Sequence, residues 1–110
     1  MHPRRGEVWW VSFESSVGGE IRKTRPALVI SNNAANAALN RVIVVPLTSQ
    51  TETLYPGEAM VTLNGEQSKA KADQMATASK KRLLNKAGNL PSADLSAVEK
   101  AVLLQLGIRR

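Results

Sequence analysis

The residues of this chain whose types and spacing suggest chemistry are an arginine just ahead of a proline-led apolar run and a hydroxyl closing a second run. The first run is Thr24-Arg25-Pro26-Ala27-Leu28-Val29-Ile30-Ser31. Pro26 disfavours the helical region for Arg25, which is therefore expected to be extended. A proline is tolerated at the first residue of a strand, where its missing N–H loses no ladder bond. Residues 27–30 then read as a strand buried on both faces and broken by Asn32-Asn33. The second run, residues 42–47, ends on Thr48-Ser49-Gln50. Antiparallel pairing of the two runs around Asn32 and Arg41 extrapolates to Arg25 beside Thr48. A permanently charged fork of donors then faces a hydroxyl at one end of a rigid hairpin, which suits an anion. The plainer alternative is an Arg25–Glu20 ion pair and a threonine that merely ends a strand.

The elements around this pair read as a small β-rich domain. Residues 7–13 are rich in strand formers, and Trp9 and Trp10 must point to opposite sides, one into a core and one outward. Residues 15–19 are flexible turn material in a loop that could close over a ligand. Residues 34–39 suit a helical turn limited by Asn36 and Asn40. Tyr55-Pro56-Gly57 marks residues 50–58 as an exposed loop. Residues 59–63 form a short strand, and Asn64-Gly65 is a hairpin turn that needs positive φ. Residues 68–77 read as one strand with Lys69, Lys71, Asp73 and Met75 on one face.

Residues 80–84 suggest a helical turn, followed by a loop through Gly88, Asn89 and Pro91. Ser92 is placed to cap a helix running to about Leu106, with Leu95, Val98, Val102, Leu103 and Leu106 as its core-facing stripe. Gly107 stops it. Five or six strands and one terminal helix indicate a mainly β chain, a single domain over residues 1–110. The expected architecture is a small SH3-like barrel of antiparallel strands with a C-terminal α-helix.

Composition narrows the chemistry. A chain of 110 residues can bury one modest core. No apolar run is long enough to span a bilayer, and the N-terminus lacks the apolar segment of a signal peptide. With no cysteine and one histidine, His2, disulfides, thiolate metal sites and zinc chemistry are not expected. The expectation is a cytoplasmic protein without metal or cofactor. A formal charge of +6 and a pI near 10.2 favour an anionic partner. The basic residues cluster at Arg22, Lys23 and Arg25, at Lys69 and Lys71, and at Lys80, Lys81, Arg82 and Lys86.

Arg5-Gly6-Glu7-Val8-Trp9, Gly19-Glu20, residues 24–30, Val45-Pro46-Leu47-Thr48-Ser49, Lys71-Ala72-Asp73-Gln74 and Leu106-Gly107 occur in order along nearly the whole chain. This series resembles the MazF/PemK (Kid) family of toxins. The resemblance implies a homodimeric, metal-independent endoribonuclease of a type II toxin-antitoxin system. Such toxins cut single-stranded RNA at short sequences, leave 2′,3′-cyclic phosphate and 5′-hydroxyl ends, and are blocked by a cognate antitoxin with an acidic, disordered tail. It further implies active-site roles for the residues matching Arg25 and Thr48 and, depending on the member, Glu20 or Asp73.

These residue types suit that chemistry. Arg25 can bind two phosphate oxygens and offset charge developing on the phosphoryl group. Thr48 can orient an oxygen, and either Glu20 or Asp73 could serve as the base for the RNA 2′-hydroxyl. Arg22, Lys23, Ser49, Gln50, Lys71 and Gln74 are the candidate RNA contacts, with Gln74 able to read a base edge. Two other readings compete. One is a gyrase poison of the same fold, like CcdB, although Leu106-Gly107-Ile108 lacks the aromatic which that relative carries before its final Gly-Ile. The other is a barrel that binds nucleic acid without cutting it.

Overall fold

The computed structural model describes residues 2–13 and 23–108. Strand β1 (Glu7–Phe13) pairs antiparallel with β2 (Lys23–Val29), placing Trp10 opposite Pro26 and Val11 opposite Arg25. β2 pairs in turn with β3 (Arg41–Thr48) from Val29↔Val44 to Ala27↔Pro46. Pro26 has no N–H to donate toward β3, and the β2–β3 ladder ends at the pair beside it. β2 therefore starts earlier than expected, because β1 supports it along its whole length. Pro26 lies inside the strand, just past the ladder it would interrupt. Carried two residues further, the same register puts Arg25 across from Thr48.

Between β2 and β3, helix α1 (Asn33–Ala38) is capped by Asn32, whose Oδ1 accepts from the Ala35 N–H at 2.8 Å. Asn36, expected only to limit this helix, instead anchors it. Fully buried, it donates through Nδ2 to the Ser31 carbonyl at 2.9 Å and bonds the Ser31 hydroxyl. That hydroxyl in turn accepts from the Ile43 N–H at 3.0 Å, so helix and strand share one polar bracket.

The other flank of β3 is divided. β5 (Glu66–Lys71) pairs with its C-terminal end, Leu47↔Ala70 and Thr48↔Lys69, while β6 (Ala76–Ser79) pairs with residues 41–44. Residues 68–77 are thus two strands rather than one. A 3₁₀ turn, Ala72–Gln74, separates them, held by Met75 N–H to Ala72 O and Ala72 N–H to Gly57 O, both 3.1 Å. The turn absorbs the register change opposite Val45 and Pro46, where a proline leaves no donor for a continuous ladder.

β4 (Glu58–Leu63) forms a hairpin with β5 through Asn64 (φ 53°) and Gly65 (φ 84°), the doubly positive turn anticipated from Asn-Gly. Residues 80–82 make the expected helical turn, here 3₁₀. The segment after it is a strand, not a loop: β7 (Leu83–Asn89) pairs with β1 through two register irregularities. Its own sequence shows no apolar alternation; the β1 ladder supplies its partners. The path β4-β5-β3-β2-β1-β7 then returns on itself, because Asn64 Nδ2 donates to the Ala87 carbonyl at 3.0 Å. Gly88 permits that approach: a Cβ there would lie 2.9 Å from Asn64 Oδ1 and 3.0 Å from Leu63 Cδ1.

Helix α2 (Ser92–Gln105) packs on β4. Pro91, not Ser92, holds its N-cap position, without a side-chain cap. Asp94 in the first turn accepts from the Thr62 N–H at 2.8 Å. Val98 and Ala101 are buried, with Leu95 and Val102 partly so, whereas Leu106 is 54% exposed and outside the core. Gly107 (φ 74°) ends the helix with Ile108 N–H to Leu103 O at 2.9 Å. Val8, Leu28, Val45, Leu47, Val61 and Ala70 fill the core on the α2 side. Val11, Ala27, Val29, Val42, Val44 and Ala78 fill a second cluster on the opposite side, so β2 and β3 are buried on both faces as their sequences implied.

Candidate functional site

Arg25 enters the site from β2, whose next residues, Ala27, Leu28 and Val29, are fully buried and hold the strand rigid. Its side chain is half-buried, and its Nε is a buried donor with no hydrogen-bond partner among the described residues. Leaving such a donor unsatisfied costs about 1–3 kcal/mol. The position therefore favours an acceptor brought from outside, and an anion most of all.

Strand alternation puts Arg25 and Thr48 on one side of the sheet, in line with Ala27, Val29 and Val44. Thr48 is half-buried, and its Oγ1 accepts from the Gln50 N–H at 3.2 Å, which terminates the strand and leaves the hydroxyl proton to donate elsewhere. Directly across the next ladder from Thr48 stands Lys69. The order Arg25, Thr48, Lys69 thus runs across three adjacent strands at one end of the barrel. Ser49 and Gln50 come next, both exposed.

Behind this row lies an ion-pair group that sequence reading did not anticipate. Glu58, assigned from sequence to an exposed loop, begins β4 with its side chain 4% exposed. Its Oε1 meets Lys69 Nζ at 3.1 Å and its Oε2 meets Lys71 Nζ at 3.0 Å. Lys69 also donates to the Thr53 carbonyl at 2.6 Å and lies over the Tyr55 ring. Burial by itself would raise the Glu58 pKa. The Tyr55 N–H and the two ammonium groups outweigh it and bring the carboxyl to about 2. Lys71, a candidate RNA contact, is therefore engaged with Glu58. Glu58 is its carboxylate partner. The signal missed was Glu58 directly opposite Lys71 in the β4–β5 register, which becomes visible only once the Asn64-Gly65 turn fixes that register.

Lys23 is exposed at the first residue of β2 in a left-handed backbone (φ 69°). Asp73 is exposed in the 3₁₀ turn and has no ion pair or hydrogen bond to its side chain among the described residues. Gln74 is half-buried and already engaged in an interaction. Glu20, Arg22 and the loop expected at residues 15–19 lie outside the described residues. No three His, Asp or Glu side chains converge as a metal site among the described residues.

Where β2, β3, β7 and the Asn64 turn meet, a cleft of about 350 Å³ opens, lined by Trp10, Thr24, Arg25, Ser49, Asn64 and Glu66 among others. Trp10 is 38% exposed here, while Trp9 packs against the second cluster, the division expected of adjacent strand residues.

A small antiparallel barrel with a basic, donor-rich end and one long helix is the arrangement of the bacterial toxin barrels. MazF from Deinococcus radiodurans superposes with a TM-score of 0.86 at 26% identity, covering 98% of this chain and 99% of that one. A mycobacterial endoribonuclease solved in complex with its cognate antitoxin gives 0.80 at 26% identity, covering 98% of each chain. Endoribonuclease MazF9 of Mycobacterium tuberculosis is 36% identical over 96% of this chain and 97% of its own length. The endoribonuclease toxin MazF of Escherichia coli K12 is 28% identical over 96% and 95%. Residues 4–106 match the family of PemK-like, MazF-like toxins of type II toxin-antitoxin systems, and the chain belongs to it.

Proposed function

We propose that this toxin is a metal-independent endoribonuclease that cuts single-stranded RNA through attack by the RNA's own 2′-hydroxyl. The observation that carries the reading is Arg25: a cation on a buried strand whose Nε is buried and has no hydrogen-bond partner among the described residues. In the reaction the 2′-oxygen forms a bond to phosphorus, the P–O5′ bond breaks, and the 5′-oxygen takes a proton from solvent water. The products are a 2′,3′-cyclic phosphate and a 5′-hydroxyl. Arg25 binds the phosphate oxygens and offsets their growing charge. The Thr48 hydroxyl, its oxygen already accepting from Gln50, donates to a phosphate oxygen. The 2′-proton goes to a carboxylate, Glu20 or Asp73. Asp73 suits the role in being exposed and without a partner among the described residues. Lys23, Ser49, Gln50 and Gln74 would contact the RNA strand, as would Arg22, which lies outside the described residues, and Lys71 would back it from its pair with Glu58.

The mycobacterial relative solved with its antitoxin supports a corresponding partner here, one whose acidic, disordered tail would compete with RNA for this basic end. Two copies of the chain would form the working homodimer. RNA cleavage would arrest translation and growth from the cytoplasm.

The test is cleavage of a long single-stranded RNA in excess EDTA by wild type and Arg25→Ala, with the product ends mapped. Discrete cuts bearing cyclic phosphates, reduced at least about 100-fold in the variant, are expected. Intact RNA with wild type, or undiminished cutting by the variant, refutes the assignment.

A further inference from the structure

The cleft beside Arg25 points to a second component of the site. Arg25 and Thr48 lie on one side of the sheet. Pro26 and Leu47 turn to the other, where the cleft is floored by apolar side chains and bounded by Trp10, Ser49, Asn64 and Glu66. Arg25 is among the residues that line this cleft. Trp10 offers a partly open indole surface. Glu66 is exposed, and its carboxylate has no ion pair or hydrogen bond among the described residues. Asn64 supplies a fixed wall, because its amide is tied to the Ala87 carbonyl across the barrel seam and its backbone is held by the Asn-Gly turn.

We propose that this cleft is a nucleobase-reading subsite, and that it takes the base adjoining the phosphate held at Arg25. The proposal rests on the ribonuclease reading for its phosphate, but the cleft's own selectivity is separable from cleavage. A planar base stacks on Trp10, an interaction single-stranded nucleic acids make with any base. Selection comes from Glu66. An ionised carboxylate only accepts hydrogen bonds, so it favours a base edge that presents N–H donors. Guanine offers two neighbouring donors, N1–H and the N2 amino group. Cytosine and adenine each offer one amino group. Uracil turns two carbonyl oxygens toward the carboxylate on either side of its single N3–H and is disfavoured. The order expected is guanine first, cytosine and adenine next, uracil last, with about a tenfold step between the ends. Ser49, exposed and lining the cleft, has a hydroxyl that can donate to or accept from either kind of edge.

The experiment is a fluorescence titration of the full chain carrying Trp9→Phe, which leaves Trp10 as the sole indole. The ligands are the four nucleoside 3′-monophosphates, with inorganic phosphate as control. Saturable quenching of Trp10 by guanosine 3′-monophosphate, about tenfold tighter than by the uridine compound, is expected. That ratio should collapse toward one in Glu66→Gln. Equal affinities for all four nucleotides, or a ratio unchanged in Glu66→Gln, overturns the subsite. Quenching by inorganic phosphate equal to that by nucleotides overturns it too. RNA cut-site mapping separates the two proposals: if wild type cuts nothing but the nucleotide ratios appear, the ribonuclease reading falls and the subsite stands. If RNA is cut and the ratios are absent, the reverse holds.

Discussion

Glu58 makes the most quantitative prediction, because its environment is fully described. Its carboxylate, 4% exposed, bridges two ammonium groups and accepts from the Tyr55 N–H. A pKa brought from 4.5 to about 2 corresponds, at 1.36 kcal/mol per unit, to about 3 kcal/mol of preference for the charged form. Lys71 is 22% exposed, so solvent screening on that side reduces the working figure to about 2 kcal/mol. Because the folded pKa lies below the unfolded one, this stabilisation is complete above about pH 4.5 and drains away as pH falls toward 2.

Glu58→Gln keeps the shape and removes the charge, leaving Lys69, 6% exposed, without its carboxylate partner. The expected loss is about 2 kcal/mol at pH 7, equivalent to a fall in Tm of about 8 °C for a domain of this size. The assay is urea unfolding of wild type and Glu58→Gln at a series of pH values from about 7 down to about 2.5, the range over which the carboxylate is protonated. The stability gap between them should be constant down to about pH 5 and shrink steadily below it. No gap at pH 7, or a gap that does not shrink as the carboxylate is protonated, would refute the electrostatic argument.

Packing sets two further outcomes. Gly88→Ala places a methyl 2.9 Å from Asn64 Oδ1 and should push the turn off the Ala87 carbonyl, lowering stability by about 1 kcal/mol in a thermal melt. Unchanged Tm would mean the seam yields without cost. Asn36→Ala removes the bracket that joins α1, Ser31 and the Ile43 N–H, and should cost about 2 kcal/mol by urea unfolding. Asn36→Asp should restore little of it, since a carboxylate cannot donate to the Ser31 carbonyl.

Local chemistry in the sequence determined a good deal of this protein. The apolar runs at residues 27–30 and 42–47 specified two central strands, since only a two-sided burial makes continuous runs favourable. Pairing around Asn32 and Arg41 gave the observed register, because a hairpin's connection sets the pairing of everything beyond it. Asn64-Gly65 announced its turn, and Gly107 ended the last helix where expected. Arg25 could be singled out because a proline fixes the backbone beside it. Tertiary structure decided what depends on a distant partner. β7 is a strand because β1 lends it a ladder, not because residues 83–89 alternate. The break at residues 72–74 exists because Pro46 cannot continue a ladder on the neighbouring strand. Leu106 lies outside the core because α2 turns its Val98 and Ala101 face to β4. Glu58 became the partner of Lys69 and Lys71, and Trp10 and Glu66 became walls of one cleft, only when strands far apart in sequence were brought side by side. Turns and strand runs are short-range chemistry that the chain carries locally, whereas ion pairs and clefts are made between elements whose neighbours no local pattern names.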